Sequence, residues 1–191
     1  MVIVMKDKKK IKKIELLAPA GSMDSLKAAV MAGCAAVYLG GHNFGARAFS
    51  KNFSNDEIIE AVNYCHLYGV KVYVTVNTLI YEKEVESFLE YVEFLHKNNV
   101  DALIMQDFGM FDLVRKTFPN LELHASTQMH IHNLDGTQLM EKLGMRPHLL
   151  DIIKGTRTVV PDLYKEIEQR KQAEKINIII VNLINFRIIV F

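Results

Sequence analysis

Tryptophan is absent from this sequence of 191 residues, and it has only two cysteines. Cys34 and Cys65 lack CxxC spacing, which excludes a disulfide framework and a local zinc or iron–sulfur motif. No apolar run is suited to span a bilayer, because the sixteen residues at 176–191 are too few and include three asparagines and an arginine. The five apolar residues before the first lysine are too few for a signal peptide. We therefore expect a cytoplasmic protein with no membrane partner.

The sequence also has no large excess of positive or negative charge, since its formal net charge is +1. This balance does not indicate a nucleic-acid partner. Residues 6–13 read KDKKKIKK and hold six of the 23 basic residues but only one of the 22 acidic ones. We interpret residues 1–13 as a solvated basic tail, with a nucleic-acid arm as the alternative. The rest of the chain is mildly acidic.

Short apolar runs alternate with amphipathic segments between residues 14 and 145, which is typical of βα units that build a parallel sheet. The strands of five such units are expected at 14–20, 36–40, 70–77, 102–107 and 121–126. The helices are expected at 22–32, 54–68, 82–98, 108–118 and 133–143. The predicted fold class is α/β with TIM-barrel-like parallel βα repeats. Because a complete barrel typically needs about 250 residues, we expect an incomplete barrel.

Local signals support these bounds. Ser54 and Glu57 form a capping box at a helix start, and Gly33 and Gly69 stand where a glycine would end a helix. The connection from 41 to 54 is much longer than the usual βα loop of about two to six residues. This loop is therefore a candidate functional segment.

The pattern is less regular after Met145. Residues 149–154 could form a sixth strand, and residues 160–175 read as a charged helix. The last sixteen residues are rich in isoleucine and show no clean alternation between two faces. Strand edges left unclosed by such an ending would offer a route to self-association.

Polar residues cluster at the carboxyl end of every predicted strand. They occupy positions 19–22, 40–43, 77–78, 106–107 and 126–128, and the amino ends carry no comparable set. Active sites of βα barrels are built at the carboxyl face, so these residues are candidates for ligand binding. The alternative is that they are loop-forming residues that end strands in any protein.

The loop after the second strand combines several binding features. Gly40 and Gly41 give the loop flexibility, Asn43 is polar, Phe44 offers an aromatic surface and Arg47 offers a guanidinium group. The fixed fork of an arginine suits a carboxylate or a phosphate, so this loop favours an anionic ligand.

The end of the fifth strand suggests polar recognition. His124, Ser126 and Gln128 would share one face if the strand stays extended, although inward His and Ser residues are often structural. His130 and His132 could bind a metal from a strand, or they could lie in a turn before the next helix.

Glu15 and Asp107 offer two carboxylates of the kind used in acid–base catalysis, but a sequence does not give their separation. No such mechanism is assigned to them.

Five segments occur in a specific order: ELLAPAGSMDSLKAAVMAGCAAVYLGG at 15–41, FGARAF at 44–49, VYVTVNTL at 72–79, LIMQDFG at 103–109 and LHASTQM at 123–129. Together they resemble the N-terminal part of peptidase family U32, the collagenase-like proteases, over residues 14–145. The resemblance implies a barrel-like α/β domain. Members of this family are known as peptidases of unknown catalytic type. Others take part in uridine hydroxylation of tRNA or rRNA, or in ubiquinone hydroxylation, with cysteine-ligated iron–sulfur clusters.

Carried onto this sequence, the resemblance implies substrate-binding positions and assigns no catalytic residue. These positions are Glu15, Gly40, Gly41, Asn43, Arg47, Asn77, Gln106, Asp107, His124, Ser126, Thr127 and Gln128. The function it favours is that of a collagenase-like protease that binds a polar or anionic substrate, peptide or RNA-derived, at the carboxyl face of the strands.

The sequence also departs from the family. It has none of the cysteines of the family's cysteine-rich segment, so we expect no metal or cofactor in this chain. After Gly144 the family's next strand ends in an Arg-Glu pair, whereas this chain reads MRPHLLDIIKGTRTVV. We expect a basic tail at 1–13, a U32-like domain at 14–145 and a divergent segment at 146–191, as in a truncated or frame-disrupted member. The alternative to a protease is a non-catalytic relative of the RNA-hydroxylation proteins.

Overall fold

A computed structural model describes residues 15–46, 52–131, 133–145 and 189–190. Arg47, His132, the predicted basic tail, the strand expected at 149–154 and the helix expected at 160–175 lie outside these residues. The strands are β1 (Leu16–Pro19), β2 (Ala36–Gly40), β3 (Lys71–Val76), β4 (Ala102–Met105), β5 (Glu122–Ala125) and β6 (Ile189–Val190). The helices are α1 (Met23–Met31), α2 (Asn55–Leu67), α3 (Val85–Lys97), α4 (Phe108–Thr117) and α5 (Leu134–Lys142). Short 3₁₀ turns lie at Glu82–Glu84 and Thr127–Met129.

The strands form one sheet in the order β5-β4-β3-β2-β1-β6. The first five are parallel and pair in sequence order, whereas β6 pairs antiparallel with β1. A helix returns the chain between each pair of consecutive parallel strands. The five predicted βα units and the TIM-barrel-like progression are therefore confirmed.

Helix ends follow the local signals in the sequence. The Ser54 N–H donates to Glu57 Oε2 at 2.7 Å, and the Glu57 N–H donates to Ser54 Oγ at 3.2 Å, so the predicted capping box is present. Gly33 and Gly69 follow α1 and α2 with φ of 84° and 69°, a conformation that favours glycine. The predicted third helix begins later than expected, because residues 82–84 form a 3₁₀ turn before α3.

The two faces of the sheet carry different side chains. One face packs against the helices in a large apolar core that includes Val37, Val74 and Leu103 from the strands and Ile58 and Phe88 from the helices. The opposite face, which we call the inner face, holds a small buried cluster. Its members are Leu17, Ala36, Tyr73, Ala102 and Ile104. Because side chains alternate along a strand, the register assigns every strand residue to one of these faces.

Candidate functional site

The carboxyl ends of β3 and β5 meet through two polar side chains. Asn77 Nδ2 donates to Ser126 Oγ at 3.4 Å, which spans the end of the intervening strand β4. Asn77 Oδ1 accepts the Ala46 N–H at 3.1 Å. One amide group therefore joins the loop after β2 to the ends of β3 and β5. The clustering that the sequence predicted at this edge holds for these two side chains.

Ser126 is a buried polar residue held by its backbone and its side chain. Its side chain and backbone together are 3% exposed, and its N–H donates to the carbonyl of Met105 at 2.7 Å. The hydroxyl oxygen also accepts the Gln128 N–H at 3.3 Å. This last bond turns the chain, so β5 ends at Ala125 and residues 127–129 form a 3₁₀ turn. The extended strand that would have placed Gln128 beside His124 and Ser126 is not formed, and Thr127 and Gln128 lie in an exposed turn.

The loop after β2 is anchored on α3 by an aromatic side chain. Phe44 has a φ of 57° and packs edge-on against Phe88, with ring centroids 5.3 Å apart, and against Tyr91 at 6.0 Å. The Thr78 hydroxyl donates to the carbonyl of Phe44 at 3.1 Å. These contacts fix the backbone that carries the Ala46 N–H to Asn77. Phe44 is thus part of the support of the site.

The other loop positions named from the sequence have separate surroundings. Asn43 is exposed, and Arg47 lies outside the described residues, so the anionic ligand that Arg47 favours stays a prediction. A Cβ at Gly40 would approach Thr75 Oγ1 at 3.2 Å and Asn52 Oδ1 at 3.3 Å. A Cβ at Gly41 would overlap the hydroxyl of Tyr91. Gly41 is therefore required for close packing at the base of the loop, whereas a Cβ at Gly40 would need Thr75 or Asn52 to shift slightly.

Both carboxylate oxygens of Asp107 accept hydrogen bonds from backbone N–H groups. Its Oδ1 accepts the Met110 N–H at 3.0 Å as the N-cap of α4, and its Oδ2 accepts the Ile80 N–H at 3.2 Å. The half-buried Gln106 precedes it at the end of β4, between Asn77 and Ser126 in strand order. The geometry therefore gives Asp107 a structural role and leaves Gln106 at the centre of the edge.

Glu15 does not join this edge, because it precedes β1 at the opposite end of the sheet. Its carboxylate accepts a hydrogen bond from the hydroxyl of Tyr73 and pairs with Lys71 Nζ at 2.9 Å. The pleat places the small residue Ala36 of β2 on the inner face between them. Burial raises the pKa of Tyr73, and the Glu15 carboxylate raises it further. The sequence does not single out Tyr73 or Lys71, although their alternation in β3 assigns them to one face.

His124 extends this polar arrangement to β5. Its Nε2 lies 2.7 Å from Glu122 Oε1, and its ring meets the Tyr73 ring edge-on at 4.7 Å. Ala102 of β4 is the inner-face residue paired with Tyr73 in the register. A line of contacting side chains therefore crosses the inner face from Glu15, just before β1, through Tyr73 of β3 to His124 of β5. His124 lies two residues before Ser126. The sequence indicated His124, but not its partner Glu122.

The match to known proteins agrees with this architecture. The family model described as "Peptidase family U32" matches residues 21–150. The chain belongs to peptidase family U32. A solved structure titled "The Structure of the U32 Peptidase Mk0906" shares the fold with a TM-score of 0.60 at 13% identity, over 90% of this chain and 82% of that chain.

Two relatives at the sequence level carry RNA-related names. The "tRNA hydroxylation protein P1" of Bacillus subtilis is 34% identical over 174 residues, covering 91% of this chain and 39% of the relative. The "23S rRNA 5-hydroxycytidine C2501 synthase" of Escherichia coli is 39% identical over 132 residues, covering 69% of this chain and 20% of the relative. This U32 chain thus spans well under half the length of either relative.

The cysteines of this U32 chain do not fit an iron–sulfur cluster, which needs several thiolate ligands. There are only two in the sequence, and both are buried in the apolar core on the helix side of the sheet. Burial raises the pKa of the Cys34 thiol, and it raises that of Cys65 to about 12. A raised pKa favours the neutral thiol, whereas a cluster ligand must be deprotonated. We therefore derive no reaction step through such a group.

The raised pKa of Cys65 has a consequence for stability. The unfolded chain releases the thiol proton near its ordinary pKa of 9.0, whereas the folded protein keeps it up to about 12. This contribution is complete below pH 9 and is lost as the pH rises towards 12. We expect the free energy of unfolding to fall less steeply in Cys65→Ala than in the unsubstituted protein between about pH 8 and about pH 11. Urea unfolding at a series of pH values measures both slopes, and equal slopes would contradict the assignment.

The other sequence expectations concern metals and membranes. His130 has a φ of 55° and ends the 3₁₀ turn, so it lies in a turn and not in a strand. Within the described ranges, no group of three or more His, Cys, Asp or Glu side chains could hold a metal ion. In the same ranges, no helix is both long and apolar enough to cross a membrane.

Proposed function

We propose that this chain binds RNA at the carboxyl edge of its sheet, as the substrate-binding part of a U32 protein of the tRNA or rRNA hydroxylation type. The contact between Asn77 and Ser126 at 3.4 Å carries the proposal, because it sets two neutral polar groups over the centre of the edge. The names of the two relatives support RNA as the substrate class.

The chemistry of the two side chains suits a nucleobase edge. An asparagine amide has two donors and an acceptor, and a serine hydroxyl both donates and accepts. Asn77 uses its oxygen for Ala46 and one N–H for Ser126, so the second N–H can be offered to a ligand. The edge of a pyrimidine likewise combines acceptors with donors. Because the chain carries a net charge of only +1, we expect contacts to bases to matter more than a basic surface.

Proteolysis, which the family name carries, is the alternative function. Acyl transfer by a serine needs a base within hydrogen-bonding reach of its hydroxyl. Ser126 and His124 are two residues apart in an extended segment, which separates them by about 7 Å along the strand. The His124 Nε2 also contacts Glu122, which lies two residues before it, whereas Ser126 lies two residues after it. This geometry favours ligand binding over a Ser–His hydrolase.

The test of the proposal replaces one amide by a carboxylate. Asn77→Asp keeps the acceptor for the Ala46 N–H but loses the donor for Ser126 and adds a negative charge. We expect it to weaken the binding of a labelled oligouridylate or a tRNA transcript about tenfold or more, measured by fluorescence anisotropy with the full chain. The matched control is Asn63→Asp, the same change at an exposed position of α2, which should bind as the unsubstituted protein does.

The same titrations separate the two functions. Failure of the unsubstituted chain to bind either RNA, together with cleavage of gelatin that is lost in Ser126→Ala, would replace the RNA proposal by the proteolytic one. Equal RNA affinities of Asn77→Asp and Asn63→Asp would show that RNA does not bind at this edge.

A further inference from the structure

Two aromatic side chains at the same end of the sheet as the Asn77–Ser126 site are exposed to solvent. Tyr81 is 73% exposed and Phe108 is 53% exposed. Tyr81 lies four residues after Asn77 in the loop that leaves β3, and Phe108 lies two residues after Gln106 at the end of β4. Since β4 lies between β3 and β5, both aromatic residues belong to the same edge of the sheet as the polar site.

The backbone that carries these two aromatics is tied together. The Ile80 N–H donates to Asp107 Oδ2 at 3.2 Å, and Tyr81 and Phe108 are the next residues after these two partners. The Tyr81 N–H donates to Glu84 Oε2 at 2.9 Å. Asp107 also caps α4, so one carboxylate holds both chain segments in place. The aromatic side chains therefore project from a fixed backbone, which lowers the entropy lost on binding.

The surroundings of the pair distinguish among ligands. The chain continues from Tyr81 into Glu82, Lys83 and Glu84, a turn with a net charge of −1 that does not favour a phosphate group. The ring of a nucleobase is uncharged, so these glutamates do not repel it. Nucleobases stack on exposed aromatic side chains in single-stranded RNA complexes. The surface therefore suits the face of a base and not the RNA backbone.

We propose that Tyr81 and Phe108 form a stacking platform for an unpaired RNA base that neighbours the base bound at Asn77 and Ser126. This inference rests on the proposed function and extends it, because it defines the substrate as single-stranded RNA with at least two splayed bases. Direct stacking makes no ionic contact, so its contribution to affinity is independent of salt.

The absence of tryptophan from the sequence permits a direct optical test. Phe108→Trp creates a single tryptophan at the platform, and its fluorescence should be quenched when oligouridylate binds to the full chain. The matched control is Tyr68→Trp, since Tyr68 is also 53% exposed but follows α2 at the opposite edge of the sheet. Its fluorescence should not change.

Affinity measurements complete the test. Phe108→Ala and Tyr81→Ala should each weaken oligouridylate binding about tenfold, whereas Phe108→Tyr should retain it. The ratio of affinities between the unsubstituted chain and Phe108→Ala should stay constant as the salt concentration rises.

Three results would overturn the platform. Tight RNA binding without quenching at position 108, and with unchanged affinity of the alanine variants, would refute it and leave the RNA-binding proposal intact. Loss of self-association in Phe108→Ala, seen by sedimentation without a change in RNA affinity, would assign the surface to a second copy of the chain. Absence of RNA binding by the unsubstituted protein would refute both proposals.

Discussion

Gly41→Ala is expected to lower the free energy of unfolding by about 3 kcal/mol, because it overpacks the base of the loop after β2. The added Cβ would overlap the Tyr91 hydroxyl and would approach Ile58 Cδ1 at 3.2 Å. Tyr91 and Ile58 are 5% and 0% exposed, so neither side chain has room to move aside. Urea unfolding followed by far-UV circular dichroism measures the effect as a lower midpoint with an unchanged slope.

A double-mutant cycle identifies the clash as the cause. Within the described part of the chain, the buried Tyr91 hydroxyl has no hydrogen-bond partner, and burial raises its pKa to about 12. Tyr91→Phe removes this oxygen. In the Tyr91→Phe background, Gly41→Ala should therefore lower the free energy of unfolding by only about 1 kcal/mol. Gly21→Ala is the control, because its Cβ would meet nothing within 4 Å and should change stability little. If Gly41→Ala lowered the free energy of unfolding equally with Tyr91 present and in Tyr91→Phe, the clash with the Tyr91 hydroxyl would not be the cause.

Phe88→Ala is expected to destabilise the protein by about 4 kcal/mol, as removal of a fully buried aromatic ring leaves a cavity. Phe88 is 0% exposed, and its ring packs edge-on against Phe44 of the loop after β2. Its loss should therefore also weaken RNA binding, since Phe44 fixes the backbone that reaches Asn77 through Ala46. Urea unfolding and anisotropy titrations measure the two effects separately.

Phe88→Leu provides the comparison for this variant. It keeps an apolar side chain at the position and should cost about 1 kcal/mol. RNA binding equal to that of the unsubstituted protein in a folded Phe88→Ala sample would contradict the supporting role of the aromatic contact. A stability loss as small as that of Phe88→Leu would show that the surrounding core closes over the cavity.

Local patterns were sufficient to predict the repeated architecture. Buried strands, helix caps and glycine stops depend on neighbouring residues, and the capping box at Ser54 and the turn at Gly69 occur where the sequence places them. The predicted end of the fifth strand at residue 126 is one residue from the observed end, but the turn at Thr127–Met129 was not predicted, because it depends on one bond from the Gln128 N–H to the Ser126 side chain. Alternation alone does not reveal such a turn.

The contacts of the candidate site were less predictable, since they join residues far apart in sequence. Asn77 and Ser126 are 49 residues apart, and Tyr73 and Glu15 are 58 apart. The sequence indicated Asn77 and Ser126 by their position at strand ends, but their contact depends on the register of three strands. It grouped Glu15 with the same set through the family resemblance, whereas the fold places it at the opposite end of β1.

The two inner-face alanines have a consequence for how this sequence can vary. The Tyr73 ring packs in one cluster with Ala36 and Ala102, and it makes contacts towards both β1 and β5. A larger side chain at either alanine would occupy volume that the tyrosine ring now fills. The side-chain volumes at positions 36, 73 and 102 are thus coupled across β2, β3 and β4. A larger side chain at one of these positions requires a smaller one at another.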